Sequence, residues 1–349
     1  MSPRYQRVFL TALGYELGPV VVSSAELEER LAPVYERLNL QPGQLEAWTG
    51  IAERRWWQPG PSLSAGALAA ARKAMRASAL NPADLGMVIY GGVCRENFEP
   101  ATACAVADGL GVRGNAFVYD VSNACLGVLN GMIEVANRIE LGQIRAGLVV
   151  SCETAREINE IALARLLEGG DMAVFAPMLA TFTGGSGAVA VLLTDGSCTG
   201  TAGHRLLGAV SEVAPEHHRL CRWGLRPGAG GQQEPFMQTD SVAVLKHGVE
   251  LGRRTWDRFL EHHDWQPVDV DRVICHQVGH GHQEAILKAL GIPREKDYTT
   301  FRFLGNMGTA ALPVTAAIAA ERNVLVAGQR VAFLGIGSGL TCLMLGLEW

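Results

Sequence analysis

The sequence predicts an α/β protein made of two copies of one βαβ unit, packed as a five-layered α/β/α/β/α body. Three observations carry this expectation: a gapless internal match, helices alternating with short strands, and strands that are apolar throughout rather than on one face only. Leu80-Asn-Pro-Ala-Asp-Leu-Gly-Met-Val-Ile89 aligns on Trp265-Gln-Pro-Val-Asp-Val-Asp-Arg-Val-Ile274, so Pro82, Asp84 and Val88 meet Pro267, Asp269 and Val273.

In each copy a helix leads through the Pro/Asp turn into a short apolar strand, then a helix, a second strand, a long Ala/Gly-rich helix and a further apolar strand. Gly109-Leu-Gly-Val112 matches Ala289-Leu-Gly-Ile292 at the end of the helix that follows the short strand. Leu141-Gly-Gln143, before apolar Gly147-Leu-Val-Val150, matches Ala327-Gly-Gln329 before Val331-Ala-Phe-Leu334. The expected division is residues 1–200 and 201–349. Residues 153–183 and the Gly-rich stretch 228–231 have no counterpart in the repeat and read as insertions, which often shape sites.

With 349 residues, 48% of them hydrophobic, the chain can bury a large core. The net charge of −5 is spread without a long basic run, which excludes the electrostatic footprint of a nucleic-acid partner. Met1-Ser-Pro-Arg-Tyr-Gln-Arg7 leads only into a strand-length apolar stretch, unlike a secretory signal. The most apolar longer stretch, residues 310–320, is too short to span a bilayer. A soluble, cytoplasmic protein is expected. The eight cysteines contain no C-x-x-C pair, so no metal site or dithiol redox motif is expected. Cys275 and Cys342 sit inside apolar strands and read as inert core thiols.

One cysteine stands apart. Strand Phe117-Val-Tyr-Asp-Val121 runs through Ser122-Asn-Ala-Cys125 into the amphipathic run from Leu126 to Leu141, which places Cys125 where a helix begins. Unpaired amides and the positive end of the helix dipole there favour thiolate, which predicts a lowered pKa and a nucleophile. Small Ala124 and Gly127 would leave room for a substrate. In the second copy, strand Arg272-Val-Ile-Cys275 delivers His276 at its C-terminal end, the edge where α/β sheets place their sites. The loop Phe303-Leu-Gly-Asn306-Met-Gly308 occupies the position of Ser122-Asn-Ala-Cys125, so Asn306 and Cys125 should face each other across the pseudo-twofold axis. Nucleophile, proton handler and hydrogen-bond donor then form one set. His280 and His282 are the rival histidines. Taken singly, a buried thiol, a strand-capping histidine and a turn asparagine are commoner than catalytic residues, and it is their convergence that argues for a site.

Asp120-Val-Ser-Asn-Ala-Cys125-Leu-Gly, His276-Gln-Val, Gly305-Asn-Met-Gly308 and the closing Gly335-Ile-Gly-Ser-Gly-Leu-Thr341 resemble the thiolase superfamily, in its β-ketoacyl-ACP synthase III branch. The likeness runs from Thr49-Gly-Ile51 through Thr183-Gly-Gly-Ser-Gly-Ala188 to Trp349. It implies the thiolase fold, acylation of Cys125 by a thioester, His276 and Asn306 steadying the enolate of the second substrate, and a dimer. Gly335-Ile-Gly-Ser-Gly339 lies between two apolar strands and is no dinucleotide loop. Gly337, Ser338 and Gly339 are expected to supply the backbone of an oxyanion hole. Degradative thiolases resemble this stretch but begin it with a second, basic cysteine, where this chain has Gly335.

Without that cysteine the carbanion comes either from decarboxylating a malonyl thioester or from deprotonating an acyl thioester, and only deprotonation needs a strong base. In Asn97-Phe-Glu99-Pro100, Glu99 stands where synthase III enzymes usually have an apolar residue, on a loop that in the family reaches across the dimer. A solvated turn carboxylate is its bland reading. Glutamate at this place resembles the acyl-CoA condensing enzymes of long-chain olefin synthesis, which join two fatty acyl-CoAs without decarboxylation. His276-Gln-Val and Gly279, where synthase III has asparagine, point the same way. The expected reaction is thus a non-decarboxylative Claisen condensation. The alternatives are a decarboxylating synthase using malonyl-ACP and a non-catalytic or thioesterase-like subunit of a heterodimer. Arg54, Arg55 and Trp56, with Arg222, are the candidates for coenzyme A. Met172, Phe175, Met178, Leu179 and Phe182 are candidates for an acyl channel, though core packing would serve for them too. Expected partners are acyl-CoA thioesters, with acyl carrier protein as an alternative carrier, and a second copy or a related chain in a homo- or heterodimer. No cofactor beyond the coenzyme A thioesters is implied.

Overall fold

The computed structural model describes residues 3–198, 203–228 and 231–349. Met1, Ser2, the expected boundary at residues 200 and 201, and Ala229 and Gly230 of the second expected insertion lie outside the described residues.

The two copies are visible strand by strand. In the first, Phe117–Val121, Met87–Gly91 and Ala146–Glu153 run parallel, and Gly187–Thr194 and Phe9–Leu17 continue the sheet antiparallel. In the second, Arg272–Cys275 runs parallel to Arg330–Gly337, followed antiparallel by Thr341–Glu348 and His204–Val213. The halves meet edge to edge through Phe9↔Arg205 and Leu10↔His204, giving nine strands in one sheet order. One expected strand of the second copy is missing. Its place is taken by a single bridge, Val273↔Asp297, because Pro293 and the 3-10 turn Arg294–Lys296 use up the chain between two helices.

Each strand feeds two layers, which is why the strands are apolar on both faces. Met87 and Ile89 point into a central layer with Leu129 and Met132, whereas Val88 and Tyr90 pack outward with Ala67 and Ala71. In the second copy Val331 and Phe333 point inward, and Ala332 and Leu334 pack outward with Trp256 and Phe259. The central layer is formed by helices Gly127–Glu140 and Ala311–Glu321. In the latter every residue from Ala311 to Ala319 is buried, as suits a helix with no polar face. Leu63–Ser78 and Thr102–Leu110 cover one outer face, and Ser241–His263 and His280–Leu290 the other. The matched helices Thr102–Leu110 and His280–Leu290 both end on a left-handed glycine, Gly111 (φ 79°) and Gly291 (φ 64°), a conformation that costs other residues more. These are the thiolase layers expected from the repeat.

The insertion at residues 153–183 folds as helices Arg156–Glu168 and Met172–Phe175 and the 3-10 segment Ala176–Thr183. It shares a separate apolar cluster with the N-terminal helices, including Leu27, Leu31, Tyr35, Leu163 and Phe182. No helix among the described residues is long and apolar enough to cross a membrane.

Candidate active site

Cys125 is positioned by a strand, a tight turn and a helix. Asp120 on the strand accepts the amides of Thr102 and Ala103, both at 2.9 Å, tying the strand to its neighbouring helix. The chain then turns through Ala124, whose φ of 45° is uncommon for a residue with a side chain, and Leu126 leads into Gly127–Glu140. Gly127 is small for a different reason than the one expected. It faces Gly91 of the neighbouring strand rather than a substrate, and a β-carbon on either would strike the other's backbone.

The electrostatics of Cys125 also differ from the sequence expectation. Burial pushes the thiol up to about 12, with Cys221 and Glu153 adding to the shift. The helix start works against this but faces a site that disfavours charge. The resting site therefore holds a thiol, and its proton must be passed on as the sulfur attacks.

His276 follows strand Arg272–Cys275, its amide bonded to the Leu334 carbonyl at 2.9 Å. Burial holds its imidazole down at about 4, with His282 contributing, so it is neutral at physiological pH and able to accept a proton. All three candidate histidines reach the same cavity. His280 is spoken for by Glu284 at 3.2 Å, and of the three only His276 has a buried ring nitrogen, Nδ1, without a hydrogen-bond partner.

Asn306 is clamped by the segment Thr183-Gly-Gly-Ser186. Its N–H donates to Thr183 O at 2.8 Å, and its carbonyl accepts the Gly185 amide at 2.9 Å. Its side-chain Oδ1 accepts the Gly308 amide at 3.0 Å, which leaves the NH2 group to donate. Cys125, His276 and Asn306, one from the first copy and two from the second, line one cavity of about 430 Å³. Its wall is mostly apolar, with Leu179, Met237, Leu245, Val249 and Ile286 among the lining residues.

Gly337 and Ser338 are part of the wall, and a β-carbon on Gly337 would lie 3.4 Å from the Cys125 amide nitrogen. Gly339, expected beside them, is not a wall residue. At Gly335 a β-carbon would sit 2.6 Å from Leu126 Cδ2 and from Leu129 Cδ1 and 3.0 Å from the Leu343 carbonyl oxygen, so a second cysteine there would have to displace both leucine tips.

Other expectations separate. Arg54 is fully buried and holds the carbonyls of Val22 and Phe182 and the Ser24 hydroxyl, and Trp56 is 2% exposed. Both are corrected from coenzyme A candidates to structural residues, because neither can reach a ligand at the surface. Arg55 remains half-buried beside Glu53, and Arg222 is exposed over the Phe236 ring. Of the five acyl-channel candidates Leu179 reaches the cavity. Phe175, Met178 and Phe182 fill the separate apolar cluster, and Met172 is exposed. Glu99 lies on an exposed loop beside Phe98, which is 98% exposed, and is absent from the cavity wall of its own chain.

Sequence reasoning missed Trp48, which is 41% exposed and on the cavity wall, and Glu153, whose buried carboxyl is raised to about 7 by desolvation. Glu153 had a readable signal, a lone acid ending the apolar strand Ala146–Glu153. Among the described residues no group of His, Cys, Asp or Glu could hold a metal ion.

Comparison with known proteins agrees with this geometry. Residues 260–349 match the family model described as 3-Oxoacyl-[acyl-carrier-protein (ACP)] synthase III C terminal. The chain is 55% identical to the acyl-CoA:acyl-CoA alkyltransferase of Shewanella oneidensis, over 99% of this chain and 100% of that protein. It is 34% identical to the Xanthomonas campestris protein of the same name, over 99% of both. A solved structure of Xanthomonas campestris OleA superposes with a TM-score of 0.93 at 34% identity, covering 99% of this chain and 98% of that one. Solved forms of that protein include replacements of a glutamate, a cysteine and a histidine. The replaced glutamate precedes the replaced cysteine by the same number of residues that separates Glu99 from Cys125. The chain belongs to the OleA family of acyl-CoA:acyl-CoA alkyltransferases, condensing acyltransferases of the thiolase superfamily.

Proposed function

We propose that the protein joins two fatty acyl-CoA thioesters head to head without decarboxylation, through an acyl group carried on Cys125. The observation that carries this reading is the convergence of Cys125, His276 and Asn306 on one largely apolar cavity whose own-chain wall lacks Glu99. Its relatives support it: they are named acyl-CoA:acyl-CoA alkyltransferases, and a form of the Xanthomonas protein was solved with lauric acid and lauroyl-CoA bound.

In the first half-reaction the Cys125 sulfur attacks the thioester carbonyl and its proton passes to the neutral His276 imidazole. Backbone at Gly337 and Ser338 faces the developing oxyanion, and coenzyme A leaves, taking up the proton. In the second, Glu99 of a second copy removes the α-proton of another acyl-CoA. The enolate oxygen is held by the Asn306 NH2 and His276, the new C–C bond forms at the acyl carbonyl as the C–S bond to Cys125 breaks, and the thiolate takes up the α-proton that Glu99 removed, restoring both groups. The product is a β-ketoacyl thioester, which hydrolysis turns into the β-keto acid.

Exposure of Phe98 and Glu99 together fits a homodimer in which this loop crosses to the partner's cavity. Trp48, Arg55 and Arg222 are the groups left at the surface to meet coenzyme A. The eight unpaired cysteines suit a reducing cytoplasm. No cofactor is needed.

The synthase III match favours a second reading, a decarboxylating condensation with malonyl-ACP. One feature opposes it. Gly279, where synthase III has asparagine, has φ 157°, and a β-carbon there would lie 2.7 Å from the Thr49 carbonyl oxygen.

The deciding experiment is Glu99→Ala assayed with a saturated long-chain acyl-CoA. Acylation of Cys125 should persist while condensed product disappears, and full condensation in the variant would refute the base assignment. Product from the wild type only on adding malonyl-ACP would establish the second reading.

A further inference from the structure

Glu153 is 4% exposed at the end of strand Ala146–Glu153 and has no role in the half-reactions above. Its Oε1 accepts the Val93 amide at 2.9 Å and its Oε2 the Cys94 amide at 3.3 Å. These two residues begin the stretch 93–100 that carries Glu99 to the surface. On its other side the carboxyl packs against Gly308, where a β-carbon would lie 3.3 Å from Glu153 Cγ and Cδ. Gly308 is the residue whose amide holds the Asn306 side chain. One buried carboxyl thus touches the root of the base loop and the root of the donor turn.

We propose that Glu153 is a positioning residue for condensation, its carboxylate fixing Val93 and Cys94, and with them the Glu99 loop, against the turn that carries Asn306. This rests on the reading of Glu99 as the base. An ionised carboxylate accepts both amides. A protonated one keeps its carbonyl oxygen for one amide and offers the other only a neutral hydroxyl oxygen, a weaker acceptor. Among the described residues no Lys or Arg pairs with Glu153, and the titratable groups facing it are Tyr90, Cys94, Cys152 and Cys125. Burial outweighs the two amide bonds and lifts the carboxyl to about 7, so the clamp forms as pH rises through neutrality.

The test compares wild type, Glu153→Gln and Glu153→Asp in the full chain. It follows amide hydrogen exchange at Val93 and Cys94, acyl-Cys125 formation and condensed product. Gln keeps the size but offers one acceptor. It should lower protection of these two amides and condensation by about tenfold each, the scale of one lost charge-assisted hydrogen bond, with Cys125 acylation near wild type. Asp, with both acceptors, should restore part of each. In wild type, protection corrected for intrinsic exchange should rise between pH 6 and 8, on the order of a unit either side of the raised pKa, and the Gln variant should show no such rise. Unchanged protection or condensation in Glu153→Gln overturns the proposal, as does acylation falling as far as condensation. If Glu153→Gln does not fold, the wild-type pH profile decides, and a flat profile overturns the proposal. A wild type that makes no condensed product would defeat the proposed reaction instead, while amide exchange still judges the clamp.

Discussion

Gly91 and Gly127 lie backbone against backbone. A β-carbon on Gly91 would come 2.6 Å from the Gly127 carbonyl carbon, and one on Gly127 would come 3.0 Å from the Gly91 carbonyl carbon. Because main chain cannot step aside as a side-chain tip can, this contact sets where the helix behind Cys125 begins. Gly91→Ala should cost about 1–3 kcal/mol of stability in denaturant unfolding and slow Cys125 acylation. An unchanged unfolding midpoint would show that the contact is slack.

Cys125 should be the only residue acylated by acyl-CoA. Cys221, Cys275 and Cys342 also reach the cavity wall, but each stands on a strand and none on the turn before a helix. Peptide mass spectrometry after incubation should find one adduct, lost in Cys125→Ala. An adduct on Cys221 would move the nucleophile.

Asn306→Asp keeps an oxygen for the Gly308 amide but replaces the NH2 by a second oxygen. A donor to the enolate becomes a repelling acceptor. Condensation should fall about 10²–10³-fold, the usual cost of one such donor, with acylation less affected. Equal loss in both half-reactions would place Asn306 in the acylation step.

The raised Glu153 carboxyl also makes a stability prediction. The folded protein keeps a proton there that the unfolded chain releases near its ordinary value, so stability falls as pH rises from about 4.5 to about 7, by roughly 3 kcal/mol in all. Below that window both states are protonated, and above it the cost is complete. Thermal unfolding of wild type and Glu153→Gln across pH 5 to 8 should show a decline in the wild type that is about that much shallower in the variant. Parallel curves would contradict the shift.

Much of the site is legible in the amino-acid sequence. Duplication is written in local pattern, in the turn at Pro82 repeated at Pro267 and in a glycine-ended helix repeated at Gly291, and a repeated unit places equivalent strand ends together. That symmetry alone brings Cys125, His276 and Asn306 to one place. Glu153 leaves a fainter mark, an acid where every preceding strand residue is apolar or small, and nothing in that mark names the amides it holds.

What the sequence by itself determined is therefore the type of each element and the strand or helix end on which each reactive group stands, since these follow from short-range periodicity and turn chemistry. The tertiary structure decided the environment of those groups. Arg54 and Trp56 sit beside Arg55, yet only Arg55 keeps access to the surface. Cys125 stands at a helix start, yet its thiol is raised by burial, with the charges of Cys221 and Glu153, both distant in the chain, adding to the shift. Desolvation and charge depend on which distant segments pack around a group, and a linear pattern carries no record of that.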